Sequence, residues 1–277
     1  MLAALLLPML GSLLVLLLQG GGQAGGPGGS VAEANDAHEP CPAAGAVRVL
    51  DSDQVPRRPT DLPPPSPDDY RDRIRPTPAG WARRSHWCVW VEPIEGTEAA
   101  LVWQRRWLGA VNAALGTWER QLPISRVDDP EQAQVRLYRR RPPLLGDGRR
   151  RRASHGRAVL VLVETRRQSE GPPQLEPRVE VLISPDQRQP SIQATALHEL
   201  GHAFGLWGHS NDPADAMAAV PGAAPVLVLS PRDQATLRWL QQQPGLGDAP
   251  LIERAPGLTP AAAPRDGRPA PPAPGAS

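Results

Sequence analysis

No lysine occurs anywhere in the 277 residues, so apart from histidine every basic side chain is arginine. That bias reflects the coding genome more than the function. Basic and acidic side chains nearly cancel, 30 against 29, for a formal net charge of +1. Such a balance gives no reason to expect nucleic acid or a strongly charged partner. The two cysteines, Cys41 and Cys88, are too few for a disulfide framework. They could pair in an oxidising compartment or remain free thiols. Long apolar runs are scarce too: only residues 2–18 form one. It is at the short limit for crossing a membrane, and Pro8 and Gly11 weaken it further. Followed by the glycine-rich residues 19–30 and by small residues at Gly22, Ala24, Ala32 and Ala34, it reads as an export signal, cleaved or kept as an anchor. Export follows either way.

Against these absences, one stretch is dense in chemistry: His198-Glu199-Leu200-Gly201-His202, continuing through Gly205 to His209 and Ser210. Three of the six histidines fall within it. His198 and His202 stand four residues apart, which on a helix places both imidazoles on one face, a turn apart. Two imidazoles so placed can hold one Zn²⁺, and Glu199 beside them can take a proton from water at the metal. Gly205 can end the helix by adopting positive φ, which lets the chain turn back and present His209 as third ligand. Three protein ligands leave one tetrahedral position open, as in catalytic rather than structural zinc sites.

The stretch resembles the zinc-binding motif of the metzincins, most closely the matrixin-type metallopeptidases, which include exported bacterial zinc proteases. Enzymes of that family follow the motif with a tight turn whose methionine lies beneath the metal. Asp215-Ala216-Met217 stands at the matching place, and Met217 is the sole methionine outside the N-terminal apolar run. One feature departs from the family pattern: the step from His202 to His209 is seven residues instead of six. Gly208 is the extra residue by this reading, since a glycine fits a local bulge without a side chain to clash. If the insertion displaces His209, Asp212 or Asp215 could supply an oxygen ligand, or the site holds metal through two histidines. A distant acidic ligand on a later helix finds little support, Asp233 being the only acid there.

Proline (35) and glycine (26) are abundant but concentrated outside the middle of the chain. The resulting division is residues 1–34 as signal peptide or membrane anchor and 35–80 as proline-rich linker or propeptide. Residues 81–244 are expected to form the compact domain, which the resemblance implies is a zinc metallopeptidase, and 245–277 read as a Pro/Ala-rich disordered tail. Matrixin propeptides place a cysteine at the zinc, but the Glu39-Pro40-Cys41-Pro42 context does not resemble that latch. Within the domain, residues 86–91, 135–139, 158–163 and 179–184 read as strands. Residues 97–122 read as a long helix, with Leu108, Val111, Leu115, Trp118 and Leu122 as its core stripe. Ser191 is expected to cap the zinc helix, whose Leu197, Leu200 and Phe204 lie opposite the histidines. Ser230-Pro231-Arg232-Asp233 starts a last helix with serine cap, proline at the first position and an acid at the third. Arg149 to Arg152 reads as a solvated loop, and His155 as a surface histidine.

The expected fold is therefore α+β: a metzincin-like zincin domain with a twisted, mostly parallel sheet, a long helix, the active-site helix, the methionine turn and a C-terminal helix. The resemblance implies a zinc endopeptidase with catalytic Glu199, metal ligands His198, His202 and His209, and supporting roles for Gly205 and Met217. It implies an extended protein or peptide substrate lying along an edge strand, for which residues 158–163 are the candidate. Residues 218–225 are then the candidate wall of the pocket that takes the side chain after the cut. Tyr70 and Tyr138, the only tyrosines, are far from the motif, so Glu199 serves both proton transfers. Nothing in the sequence supports Ca²⁺ or a second Zn²⁺. The reading expects a secreted or periplasmic monomer that touches membrane only through the N-terminal segment. The alternatives are a catalytically inactive zinc-binding relative and a zinc hydrolase of a non-peptide envelope bond.

Overall fold

The computed structural model describes residues 41, 46–144, 154–166 and 173–248. The expected signal or anchor, the arginine run 149–152 and the tail from residue 249 onward lie outside the described residues. None of the described helices is long and apolar enough to cross a membrane.

Short β-branched runs form the sheet and apolar helices cover it. The strands are β1 (Ala46–Val49), β2 (Trp87–Val91), β3 (Ile124–Arg126), β4 (Val135–Tyr138), β5 (Gly156–Arg166) and β6 (Gln174–Ile183). The helices are α1 (Glu98–Glu119), α2 (Gln189–Ala203) and α3 (Pro231–Gln241). The six-stranded sheet has the order β1-β5-β6-β4-β2-β3. Three neighbouring pairs are parallel, whereas β5 runs antiparallel to both β6 and β1. The sheet is thus mixed, and the fold is α+β.

Helix α1 buries Trp107, Ala110, Val111, Ala114, Leu115 and Trp118, a stripe recurring at steps of three and four. Two of its tryptophans tie it to its neighbours. Trp107 Nε1 donates to the Ile183 carbonyl at 3.2 Å, and Trp118 Nε1 donates to the Leu197 carbonyl at 3.1 Å. Ring contacts of Trp87 and Trp118 with Phe204, at 5.5 Å each, lock α2 against α1 and the sheet. Helix α3 begins as the sequence predicts. The Ser230 side chain accepts from the Asp233 N–H, and Asp233 accepts from the Ser230 N–H. Helix α2 begins differently: Arg188 is its N-cap, and Pro190 and Ser191 already lie in its first turn. Proline needs no N–H partner there, so the helix starts before it.

The largest difference concerns residues 46–80, expected as part of a linker or propeptide: their packing into the core argues against a free linker. They contribute β1, and Tyr70 and Ile74 are wholly buried in the main core. Arg58 N–H donates to Pro78 O, and a guanidinium nitrogen of Arg58 reaches Leu246 O at 3.2 Å. A proline-rich chain cannot build a core of its own, but here its few large side chains are buried in a core the domain supplies. The ordered unit accordingly begins before residue 81. At its other end Leu246 is buried and Gly245 bridges to Trp81. Cys41 is bonded to Cys88 of β2 in a disulfide, which resolves the open choice between a bridge and free thiols.

Candidate metal centre

Helix α2 splits its two faces as its sequence dictates. Leu197, Leu200 and Phe204 are completely buried, while His198 and His202 emerge on the other side. Gly205 ends the helix with φ of 108°. Leu206 N–H bonds back to Gly201 O and Gly205 N–H to His202 O, both at 2.9 Å, the paired closure of a Schellman motif. A Cβ on Gly205 would lie 2.8 Å from Ala82 O, so neither the backbone angle nor the space admits another residue.

The reversal brings His209 to the other two histidines. Ring centroids lie 4.9 Å apart for His198 and His202, 5.2 Å for His198 and His209, and 4.8 Å for His202 and His209. One ligating nitrogen from each imidazole falls within 4.8 Å of the others, a grouping able to hold one metal ion. Backbone carbonyls fix two of the tautomers. His198 Nδ1 lies 2.9 Å from Ala216 O and His202 Nδ1 lies 2.8 Å from Leu206 O. A carbonyl only accepts, so each Nδ1 carries the proton and each Nε2 keeps its lone pair. Burial lowers the pKa of all three rings, that of His202 to about 3, which keeps them neutral and able to ligate. The alternative oxygen ligands are elsewhere. Asp215 accepts from Ser210, Ser230 and Arg232, and Asp212 accepts from the Ala214 N–H.

Glu199 is nine-tenths buried, and desolvation raises its pKa to about 7, against the opposing pull of the Ala158 backbone and Arg157. Its side chain fits against the start of β5 because residue 156 is glycine. A Cβ there would come within 2.6 Å of Glu199 Cγ. A carboxylate poised near neutrality beside the ligand cluster can exchange protons at working pH.

Met217 lies beneath the histidine helix, where Gly201 leaves room for its sulfur; a Cβ on Gly201 would overlap Met217 Sδ. Sequence reasoning gave no role to Asp233 beyond helix capping, and none to Tyr70. The Asp233 carboxylate, fully buried, accepts from Ala216 N–H at 2.8 Å, Met217 N–H at 3.4 Å and Tyr70 Oη at 2.7 Å. It therefore holds the turn whose Ala216 carbonyl orients His198. The capping pattern at Ser230 identified Asp233, but no local signal pointed to its second set of partners.

Cys41, His86 and Cys88 also lie close together. Their two sulfurs are joined to each other, and His86 Nε2 faces Ser125 Oγ at 3.0 Å. No protein-family model matches the chain, and no curated protein matches it.

Proposed function

We propose that the chain is a zinc-dependent endopeptidase of the metzincin, matrixin-like kind, with His198, His202 and His209 as ligands and Glu199 as general base. The observation that carries this reading is the convergence of three imidazoles into one grouping able to hold a metal ion, with Glu199 next to His198 on the same helix. The Nε2 atoms of His202 and His209 are 3.2 Å apart. Ligand nitrogens of a tetrahedral zinc with bonds of about 2.05 Å lie about 3.3 Å apart, so the spacing suits that ion. Zinc bound there supplies Lewis acidity, which polarises a peptide carbonyl and acidifies water.

The residues of the chain do the rest. Glu199 accepts the water proton and returns it to the departing amine. The carbonyls of Ala216 and Leu206 hold the imidazoles of His198 and His202 in their ligating orientation. Strand β5 offers main-chain groups next to Glu199 for an extended peptide, and residues 218–225 form the wall after the cut. The Cys41–Cys88 disulfide supports an oxidising, exported setting.

Cleavage of a mixed fluorogenic peptide library by the zinc-loaded chain, with and without chelator, tests the proposal. Chelator-sensitive cleavage that falls by orders of magnitude in Glu199→Ala, with zinc retained, is the expected result. A folded, zinc-loaded protein that cuts no peptide would move the assignment to an inactive relative or to a hydrolase of another bond.

A further inference from the structure

Strand β5 presents two different lengths of outer edge. From Leu162 onward the edge is occupied by β1: Val49 lies opposite Val163, Ala46 opposite Arg166, and the Leu50 N–H donates to Leu162 O at 3.0 Å. From Gly156 to Val161, no strand among the described residues pairs with that edge. Alternate residues of a strand turn their main-chain groups to the same side. Since Leu162 faces β1, Leu160 and Ala158 face the same way. The Ala158 main chain already bonds the Glu199 carboxylate, which leaves Leu160 N–H and C=O and Ala158 C=O for a guest. Val159 and Val161 flank them as exposed side chains. Among the described residues, only residues 158–161 of the expected substrate strand therefore have an unpaired outer edge; Leu162 and Val163 are paired with the β1 segment.

We infer that β1 closes the amino-side end of the substrate groove, so that only about three residues before the cut are read along β5. The inference rests on the peptidase reading and specifies its substrate. A peptide that prolongs the antiparallel ladder runs in the same direction as β1, with the residues preceding the cut against Val161 to Ala158 and the scissile bond next to Glu199. Pairing advances residue for residue, so about three positions fit between Leu50 and the cut. The chain of β1 turns off the edge at Asp51, where Gln54 N–H and Val55 N–H both bond to Asp51 O. A longer substrate has to leave the sheet there.

The test uses the whole zinc-loaded chain and peptides with one to eight residues ahead of a common cut sequence. kcat/KM is expected to rise over the first three residues, by about fivefold for each main-chain bond gained, and by less than twofold per residue thereafter. Arg48→Pro, which removes a ladder N–H from β1, should carry the gain on to five or six residues. A wild-type rate that keeps rising beyond five residues, or a limit that falls on the carboxyl side of the cut, would overturn the inference. Amide exchange of the wild-type protein separates this from failure of the peptidase reading. The Glu164 amide, inside the paired stretch, should exchange slowly and the Leu160 amide fast, even if no peptide is cut. Equal protection of Leu160 and Glu164 would show that the edge is not divided by β1.

Discussion

Gly208 lies against the backbone of Arg73 so closely that a Cβ at this position would overlap the Arg73 carbonyl. Beside it, the Arg75 N–H donates to Trp207 O at 2.8 Å. Gly208, which the sequence reading takes as the extra residue, thus lies where residues 73–75 cross the loop between His202 and His209. Close approach, and not a left-handed backbone angle, is what demands glycine here. Gly208→Ala is expected to cost about 1–3 kcal/mol of stability through overpacking, and to weaken metal binding by moving His209. Chemical denaturation and competition with a metal indicator measure both. An alanine variant with wild-type stability and affinity would refute this account of the insertion.

Asp233 accepts from the N–H groups of Ala216 and Met217 while Tyr70 donates to it, all without solvent. Tyr70→Phe leaves the carboxylate one donor short and should cost about 1–2 kcal/mol. Asp233→Ala strands three N–H groups, those of Ala216, Met217 and Ser230, and a phenol, and should cost about 3 kcal/mol or more. The ranking, with Asp233→Ala worse than Tyr70→Phe, is read from urea midpoints; the reverse order would mean that the turn is held by other contacts.

The metal-free protein should lose stability as the pH falls from 7 to 5. Burial lowers the histidine pKa values from 6.5, that of His202 to about 3. Their contribution is therefore fully present above about pH 6.5 and is lost as the pH falls towards the folded values. Glu199 acts in the opposite sense. Its pKa is raised from 4.5 to about 7, so its contribution is present at low pH and lost as the pH rises through 7. Three groups oppose one, and the net change follows the histidines. Glu199→Gln removes the opposing group and should steepen the fall. Denaturation in chelator at pH 7, 6 and 5 reads both slopes, and a flat or rising wild-type series would contradict the electrostatic account.

The disulfide joins residues separated by 47 positions. On the chain-entropy account, closing a loop of that length restricts the unfolded chain by about 4 kcal/mol. Reduction, or Cys41→Ser, should lower the denaturation midpoint accordingly. Unchanged midpoints in reductant would mean that the bridge does not constrain the unfolded state.

Periodicity and capping made much of this fold legible. The stripe of α1, the Ser230 cap of α3 and the glycine closure of α2 are local signals, each written within a few residues. Strand β3 has only three residues, too few for a pattern. Residues 46–80 were misleading for a physical reason: composition reports whether a segment can build a core of its own, not whether Tyr70 and Ile74 can enter another. The histidine cluster was legible because its ligands sit within twelve residues of sequence. Gly156 and the second role of Asp233 were not, since what they touch lies far away along the chain.

The central claim is one metal ion held by three imidazoles with a site left open, despite the lengthened step to His209. Zinc K-edge absorption spectroscopy of the one-equivalent zinc protein, beside its His209→Ala variant, tests it most directly. The account predicts three nitrogen ligands and one oxygen at about 2.0–2.1 Å in the wild type. The variant should lose one nitrogen and much of its affinity. A wild-type centre with two histidines, or a His209→Ala variant with an unchanged spectrum and full zinc occupancy, would contradict it.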